Sequence, residues 1–219
     1  MEDTLIENII DMCAILMLLI SVMTVASTRM RRIVSLFALH SLVLGVLAGV
    51  VAYHTGNWHI YIICALTIVL KAYAIPKFLE YTMDRINVEK EVSARIGIPG
   101  SLLICSALVL VSYLIAEPVL GAVATIGKTC LAISFSIVLI GLFMMTARQK
   151  AVTQSVGLLL IENGLFLGAM TISYGMPLIV EFGVFFDVII AVVIIGIFAY
   201  RINRTFNSVD TSFMRRLKD

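Results

Sequence analysis

Long apolar runs separated by short polar connectors dominate this sequence. Runs of about 17 to 25 residues are long enough to cross a hydrocarbon layer about 30 Å thick, and seven such runs occur. We number them spans 1 to 7, and they cover Leu5–Ala26, Ile33–Ala52, Trp58–Phe78, Ser101–Ala116, Val123–Thr146, Ala151–Ser173 and Leu178–Tyr200. Transmembrane β-strands would be about half this length and would alternate strictly. The pattern therefore predicts an all-α polytopic membrane protein with seven transmembrane helices.

The composition agrees with the apolar pattern. Of the 219 residues, 61% are hydrophobic and only 14% are charged, which is more apolar surface than a soluble core of this size can bury. Acidic Glu2, Asp3 and Glu7 precede span 1, where a secretory signal peptide would carry basic residues. We therefore expect span 1 to be a retained helix of an integral membrane protein.

Lys and Arg are concentrated in alternate connectors. Fourteen of the 16 basic residues follow spans 1, 3, 5 or 7, and the two exceptions are Lys71 and Lys128. Because basic connectors are retained in the cytoplasm, this distribution predicts an N-terminus outside and a C-terminus inside. The one long connector, from Lys77 to Arg95, carries mixed charges and is expected to form a short cytoplasmic surface helix.

A faint internal repeat relates the two ends of the chain. The segment that starts at Ser27 aligns with the segment that starts at Thr146, and Gly45 and Gly49 then fall on Gly164 and Gly168. Glycines four residues apart favour close helix contact in membranes. A parallel repeat would divide the chain into residues 1–98 (spans 1–3), 99–122 (an additional span 4) and 123–219 (spans 5–7 with the basic tail). The alternative is a coincidence between two apolar sequences.

Glu162 lies at the middle of span 6, in the segment QSVGLLLIENGLFLGAM. Insertion scales put an acidic residue at the centre of a spanning helix at a cost of about 2.5 to 3.5 kcal/mol. This cost must be offset by a partner, by protonation or by function. Glu162 is therefore the first candidate for a functional residue.

Three further ionisable residues are predicted to lie at a similar depth. At a rise of 1.5 Å per residue, Glu162 lies about 16 Å from the cytoplasmic end of its span, and Asp187 about 13 Å from the outer end of span 7. Lys71 lies about 20 Å from the outer end of span 3, and His40 about 10 Å from the inner end of span 2. Ionisable residues inside the membrane often form proton relays, so Glu162, Asp187, Lys71 and His40 are the predicted relay.

Each of these residues also has a structural interpretation. Glu162 and Lys71 could form an ion pair that only joins two helices, and His40 could only bond a backbone or hydroxyl group. Lys128 could extend to the outer surface or belong to an exit path. Asp11, at the outer end of span 1, could be solvated or could serve as an accessory exit residue.

The sequence predicts no catalytic residue, no cofactor and no metal site. The four cysteines lie singly within apolar runs without a C-x-x-C pair, so ligand sets for zinc, iron–sulfur clusters or nickel are not expected. No nucleophile elbow, P-loop, H-E-x-x-H or dinucleotide-binding glycine motif occurs.

Spans 6 and 7, with the segments LLLIENGLFLGAM and EFGVFFDVIIAVVIIGIFAYRI, resemble component E of hydrogenase-4, the Hyf type found with energy-converting, formate hydrogenlyase-like hydrogenases. The similarity also includes the basic residues after span 1 and the lysine of LTIVLKAYAIPKF. Spans 5 to 7 resemble the K-type subunit of respiratory complex I and the C-type subunit of Mrp cation/proton antiporters. In the K-type pattern two carboxylates occupy successive helices, and Glu162 and Asp187 take those positions approximately.

The resemblance implies a non-catalytic membrane subunit of a prokaryotic inner-membrane complex. Antiporter-like membrane subunits would be its neighbours, and partner subunits with [NiFe] and iron–sulfur centres would carry the redox chemistry. The chain itself would translocate protons or sodium ions, in contact with lipids and without nucleic acid. Two other functions remain open from the residues alone: a structural membrane anchor with ion-paired charges, and an independent small-solute transporter.

Overall fold

The computed structural model describes residues 2–56, 58–86, 96–120 and 128–173. Its elements are helices, listed here in chain order: α1 (Glu2–Ala26), α2 (Met30–Thr55), α3 (Trp58–Leu66), a π-helical segment (Thr67–Ala74), α4 (Ile75–Ile86), α5 (Ile98–Leu120), α6 (Lys128–Ala147) and α7 (Ala151–Ser173). Because α3, the π-helical segment and α4 follow one another without a break, they form one long helix.

Six helices within the described residues are long and apolar enough to cross a membrane. They coincide with predicted spans 1 to 6, with α3, the π-helical segment and α4 together forming span 3. For the described residues, the prediction of an all-helical fold with helices long and apolar enough to cross a membrane is therefore confirmed. Span 7, Leu178–Tyr200, lies outside the described residues, and the seven-helix count stays a prediction.

The predicted boundary of span 3 is wrong. The helix does not end at Phe78 but continues as α4 to Ile86, so the first part of the predicted connector is not a separate surface helix. The reason is packing: Ile75, Leu79 and Met83 form a buried stripe at helical spacing, which lies against α2. Residues 87–95 of the connector lie outside the described residues.

A salt bridge joins the C-terminal end of α4 to the start of α2. Arg31 Nη2 lies 2.6 Å from Asp84 Oδ1, and both side chains are exposed. An exposed pair of this kind contributes little to stability, typically below about 1 kcal/mol. The buried stripe, rather than the salt bridge, therefore carries the contact between these two helices.

A proline accounts for the π-helical segment in the middle of span 3. Pro76 follows the segment directly, lacks a backbone N–H and would press its ring against the carbonyl of Ala72 in a regular α-helix. The widened turn avoids this clash, and the Ile75 N–H bonds the Leu70 carbonyl five residues back. Lys71 lies inside the widened turn.

Four helices form the centre of the bundle. α1 packs against α2 and α6, and α7 packs against α6 and α2. Span 3 lies against α2, while α5 lies against α6 and α1. Peripheral α5 keeps many of its large apolar side chains exposed, including Leu103, Leu110 and Leu114, as expected of a face toward lipid or another membrane subunit.

Two apolar clusters stack along the bundle. The first, at the end where α1 leads into α2, includes Phe37, Met144 and Leu160. The second, at the opposite end, includes Leu44 and Leu167. Helices α2 and α7 pass through both clusters, so the residues between the two sets on these helices lie near the middle of the bundle.

The predicted close helix contacts at glycine are confirmed, but the repeated glycines face non-equivalent helices. A Cβ atom on Gly45 would lie 2.6 Å from Ile68 of span 3, whereas one on Gly168 would lie 2.5 Å from Ser134 of α6. A close backbone approach also joins α6 and α7, where a Cβ atom on Gly141 would lie 2.8 Å from the Gly157 carbonyl oxygen. The internal repeat itself, and the division of the chain based on it, stay predictions.

A buried arginine closes the C-terminal end of α1. Arg148, in the short turn between α6 and α7, donates from Nη2 to the carbonyl oxygens of Val25 and Ser27. Carbonyl groups in the last turn of a helix have no intrahelical partner, and a cation there also complements the helix dipole. In the sequence, Arg148 is recognisable only as one of the basic residues after span 5, because the carbonyl groups that it bonds are distant along the chain.

Candidate functional site

Three of the four predicted relay residues come together between the two apolar clusters. His40 comes from α2, Lys71 from the π-helical segment and Glu162 from α7. All three are buried, with relative exposures of 0%, 1% and 7%. Because α2 packs against both the π-helical segment and α7, groups 31 to 122 residues apart in the chain share one site.

Lys71 forms the charged part of the site. Its Nζ atom lies 3.4 Å from Glu162 Oε1 and donates a hydrogen bond of 3.1 Å to Asn163 Oδ1. The same ammonium lies 5.9 Å from the centre of the Phe166 ring, within the range of a cation–π contact. One cation is therefore surrounded by a carboxylate, an amide oxygen and an aromatic face, all from α7.

Asn163 connects this ion pair to α2. Its Nδ2 atom lies 3.1 Å from His40 Nδ1 and 3.1 Å from Ser41 Oγ, and the residue is fully buried. The amide group therefore bridges three helical elements. We call Glu162, Lys71, Asn163, His40 and Ser41 the polar cluster.

Two members of the polar cluster were missed by the sequence-based prediction. Asn163 was not among the predicted relay residues, because its adjacency to Glu162 places it about 100° around the helix from that carboxylate. The long side chain of Lys71 nevertheless reaches both Glu162 and Asn163 on α7. Ser41 carried only a weak signal, since a serine in a spanning helix commonly bonds its own backbone.

The chemistry that the polar cluster offers is proton exchange. It contains one basic amine, one carboxylate and one imidazole, each of which can gain or lose a proton. Within the described ranges, no group of three or more His, Cys, Asp or Glu residues could hold a metal ion. The π-helical turn under Lys71 is also a feature that often marks functional sites in helices.

The other predicted residues are placed differently. Asp187 lies outside the described residues, and Lys128 begins α6 with a side chain that is likewise outside them. Asp11 is partly buried in α1, where its Oδ1 atom accepts a hydrogen bond of 3.3 Å from the Cys130 thiol. Cys130 belongs to the second apolar cluster, so Asp11 lies beyond the polar cluster toward that end of the bundle.

Comparison with known proteins finds relatives that cover nearly the whole chain. The uncharacterized protein Rv0085 of Mycobacterium tuberculosis is 30% identical over 220 residues, covering 100% of both chains. Hydrogenase-4 component E of Escherichia coli K12 and that of Shigella flexneri are each 26% identical over 210 residues, covering 96% of this chain and 97% of theirs.

No family model and no solved structure matches the chain. The classification therefore rests on these relatives. Because the alignments cover nearly all of each chain, the similarity is not limited to one apolar segment. This chain belongs to the family of membrane proteins that includes Rv0085 of Mycobacterium tuberculosis, and it is a distant homologue of hydrogenase-4 component E.

Proposed function

We propose that this chain is a membrane-arm subunit of an energy-converting, hydrogenase-like complex and that it conducts protons through the polar cluster. The observation that carries the proposal is the buried pair of Lys71 and Glu162, 3.4 Å apart between helices that span the membrane. Asp187 is the next station toward span 7 in this proposal. The alternative within this proposal is that the same carboxylates conduct sodium ions instead of protons.

Burial supports a conducting role for these charges. Ionisable groups inside a membrane are expensive and commonly mark ion pathways or proton relays. The pair lies between two apolar clusters, so that a mobile proton on it would be separated from both ends of the bundle by apolar packing. Separation of this kind is what a coupled transporter needs, because an open path would allow uncontrolled leak.

The complex is proposed from homology to a protein named as a component of hydrogenase-4. In this proposal, redox chemistry resides in partner subunits with a nickel–iron site and iron–sulfur clusters, and this chain lacks a redox site of its own. Antiporter-like subunits are its proposed neighbours in a bacterial inner membrane. The exposed apolar side chains of α5 offer a surface for such a neighbour or for lipid.

Purification from the native membrane tests the assembly. We expect an affinity tag on this chain, after mild detergent extraction, to recover a nickel–iron large subunit and antiporter-like subunits by mass spectrometry. The recovered complex, reconstituted into vesicles, should move protons during electron transfer. Recovery of the chain alone, or of a complex in which electron transfer moves neither protons nor sodium ions, would contradict the proposal.

We propose the full topology as seven spans, with the N-terminus outside and the C-terminus in the cytoplasm. The support is the alternating distribution of basic residues together with the six spanning helices. Reporter fusions should show a cytoplasmic C-terminus after Asp219 and a cytoplasmic turn between α6 and α7 at Lys150. A reporter that is active only outside the membrane when fused after Asp219 would refute this orientation.

A structural anchor is the second candidate, and one observation favours it. Lys71 has a carboxylate, an amide oxygen and an aromatic ring around it, an arrangement that could simply join span 3 to α7. The two candidates differ in what removal of charge does. A pure anchor should lose assembly when charges are removed, whereas a relay should lose proton movement in a complex that still assembles.

A further inference from the structure

The orientation of the Asn163 amide group follows from its neighbour. The Lys71 ammonium has donors only and no acceptor, so the atom that faces it at 3.1 Å must be the amide oxygen. The opposite orientation would place two donors against each other. The NH₂ group of Asn163 therefore faces His40 Nδ1 and Ser41 Oγ, each at 3.1 Å.

This orientation determines the proton position on His40. Nδ1 faces an NH₂ donor and must accept, so the proton of the neutral imidazole lies on Nε2. A proton on Nδ1 would again bring two donors together. His40 Nε2 is buried and makes no hydrogen bond within the described residues, which leaves it as the atom of the ring that can exchange a proton with a further group.

We propose that Asn163 is a positioning residue that makes an ammonium on Lys71 and a proton on His40 Nδ1 mutually exclusive. The proposal rests on the proton-conducting function proposed above and adds its coupling element. While Lys71 is charged, the amide oxygen is held toward it and His40 Nδ1 stays without a proton. When the ammonium loses its proton or moves away, a half-turn of the amide presents the oxygen to His40 Nδ1–H and to the Ser41 hydroxyl.

The proton does not pass through the amide in this arrangement. Lys71 exchanges its proton on the Glu162 side of the cluster, and His40 gains or loses one through its ring nitrogens. The amide only transmits the state of one site to the other. When the ammonium is absent, the turned amide presents its NH₂ group to the position that the ammonium occupied beside Glu162 Oε1, and a Glu162 carboxylate that keeps its charge favours that orientation.

The position of the ring proton can be measured directly. We would label the histidine rings of the full-length chain with ¹⁵N, reconstitute the chain in lipid bilayers and record the tautomers by solid-state NMR. The chain has three histidines, and His40→Gln identifies the signal of His40. We expect a neutral ring with the proton on Nε2 in the wild type, and a shift of the major species to Nδ1–H in Lys71→Met.

Lys71→Arg is the matched control, since it keeps a cationic donor and should keep the Nε2–H tautomer. A wild-type ring protonated on Nδ1, or a Lys71→Met ring unchanged from the wild type, would overturn the proposal. The wild-type spectrum alone can do so, even if Lys71→Met does not accumulate. The tautomer does not depend on proton movement, so a normally pumping Glu162→Gln complex would refute the proposed function without touching this coupling.

Discussion

Glu162→Gln is expected to abolish proton movement coupled to electron transfer while the complex still assembles. Glutamine has nearly the same shape, and its amide oxygen can still accept a hydrogen bond from Lys71 Nζ, which lies 3.4 Å from Glu162 Oε1. The change therefore removes the proton-binding group but keeps an acceptor at the same place. The measurement is proton uptake by vesicles that contain the purified complex, compared with electron transfer in the same sample.

Glu117→Gln is the matched control, because Glu117 is an exposed carboxylate near the end of α5. It should leave both proton movement and electron transfer at the wild-type level. Unchanged proton movement in Glu162→Gln would refute the relay. Loss of the complex from the membrane in Glu162→Gln would instead favour the structural anchor.

Lys71→Met is expected to destabilise the chain much more than Glu162→Gln does. Methionine offers no donor, so the Glu162 carboxylate and the Asn163 amide oxygen both lose the group that faces them at 3.4 and 3.1 Å. Breaking a buried ion pair by removing one partner typically costs about 3 to 5 kcal/mol. The expected result is a lowered thermal midpoint of the purified chain and a reduced amount in the membrane.

The double variant Lys71→Met with Glu162→Gln separates the two functional interpretations. Removing both charges of a buried pair is often close to neutral for stability. We therefore expect the thermal midpoint of the double variant to lie much closer to that of the wild type than the midpoint of Lys71→Met does. If the charges form a relay, the complex with the stable double variant should still fail to move protons. If they are only an anchor, that complex should move protons again. Lys77→Met is the matched control, because Lys77 is exposed and its Nζ atom lies 5.4 Å from the centre of the Tyr73 ring, away from the polar cluster; the thermal midpoint of this variant should stay near that of the wild type.

The location of the polar cluster explains why both stability and transport are expected to depend on the same residues. His40 and Ser41 lie between Phe37 and Leu44 on α2, and Glu162 and Asn163 lie between Leu160 and Leu167 on α7. Each helix thus carries apolar packing on both sides of its polar residues. The two clusters hold the helices together, and in the proposed relay the polar cluster between them changes its protonation with apolar packing on both sides.

Hydrophobic patterning predicted much of the architecture correctly, and it did so for a physical reason. Span length is set by the thickness of the membrane, and each span must satisfy its own backbone hydrogen bonds by forming a helix. Both constraints are local, so spans 1 to 6 could be found by counting. The end of span 3 could not, because the stripe at Ile75, Leu79 and Met83 is stabilised by α2, which is distant in the sequence.

The site divides in the same way. The free-energy cost of an ionisable side chain inside a membrane identifies Glu162, Lys71 and His40 as unusual, and the rise per residue of a helix places them at similar depths. The bond from Lys71 to Asn163, the bridge from Asn163 to His40 and Ser41, and the capping of α1 by Arg148 were decided by which helix faces lie against each other. The depth of a residue in the membrane depends on its position along one helix and can be counted from the sequence. Which neighbouring helix its side chain contacts depends on how two helices pack, and this is determined only in the tertiary structure.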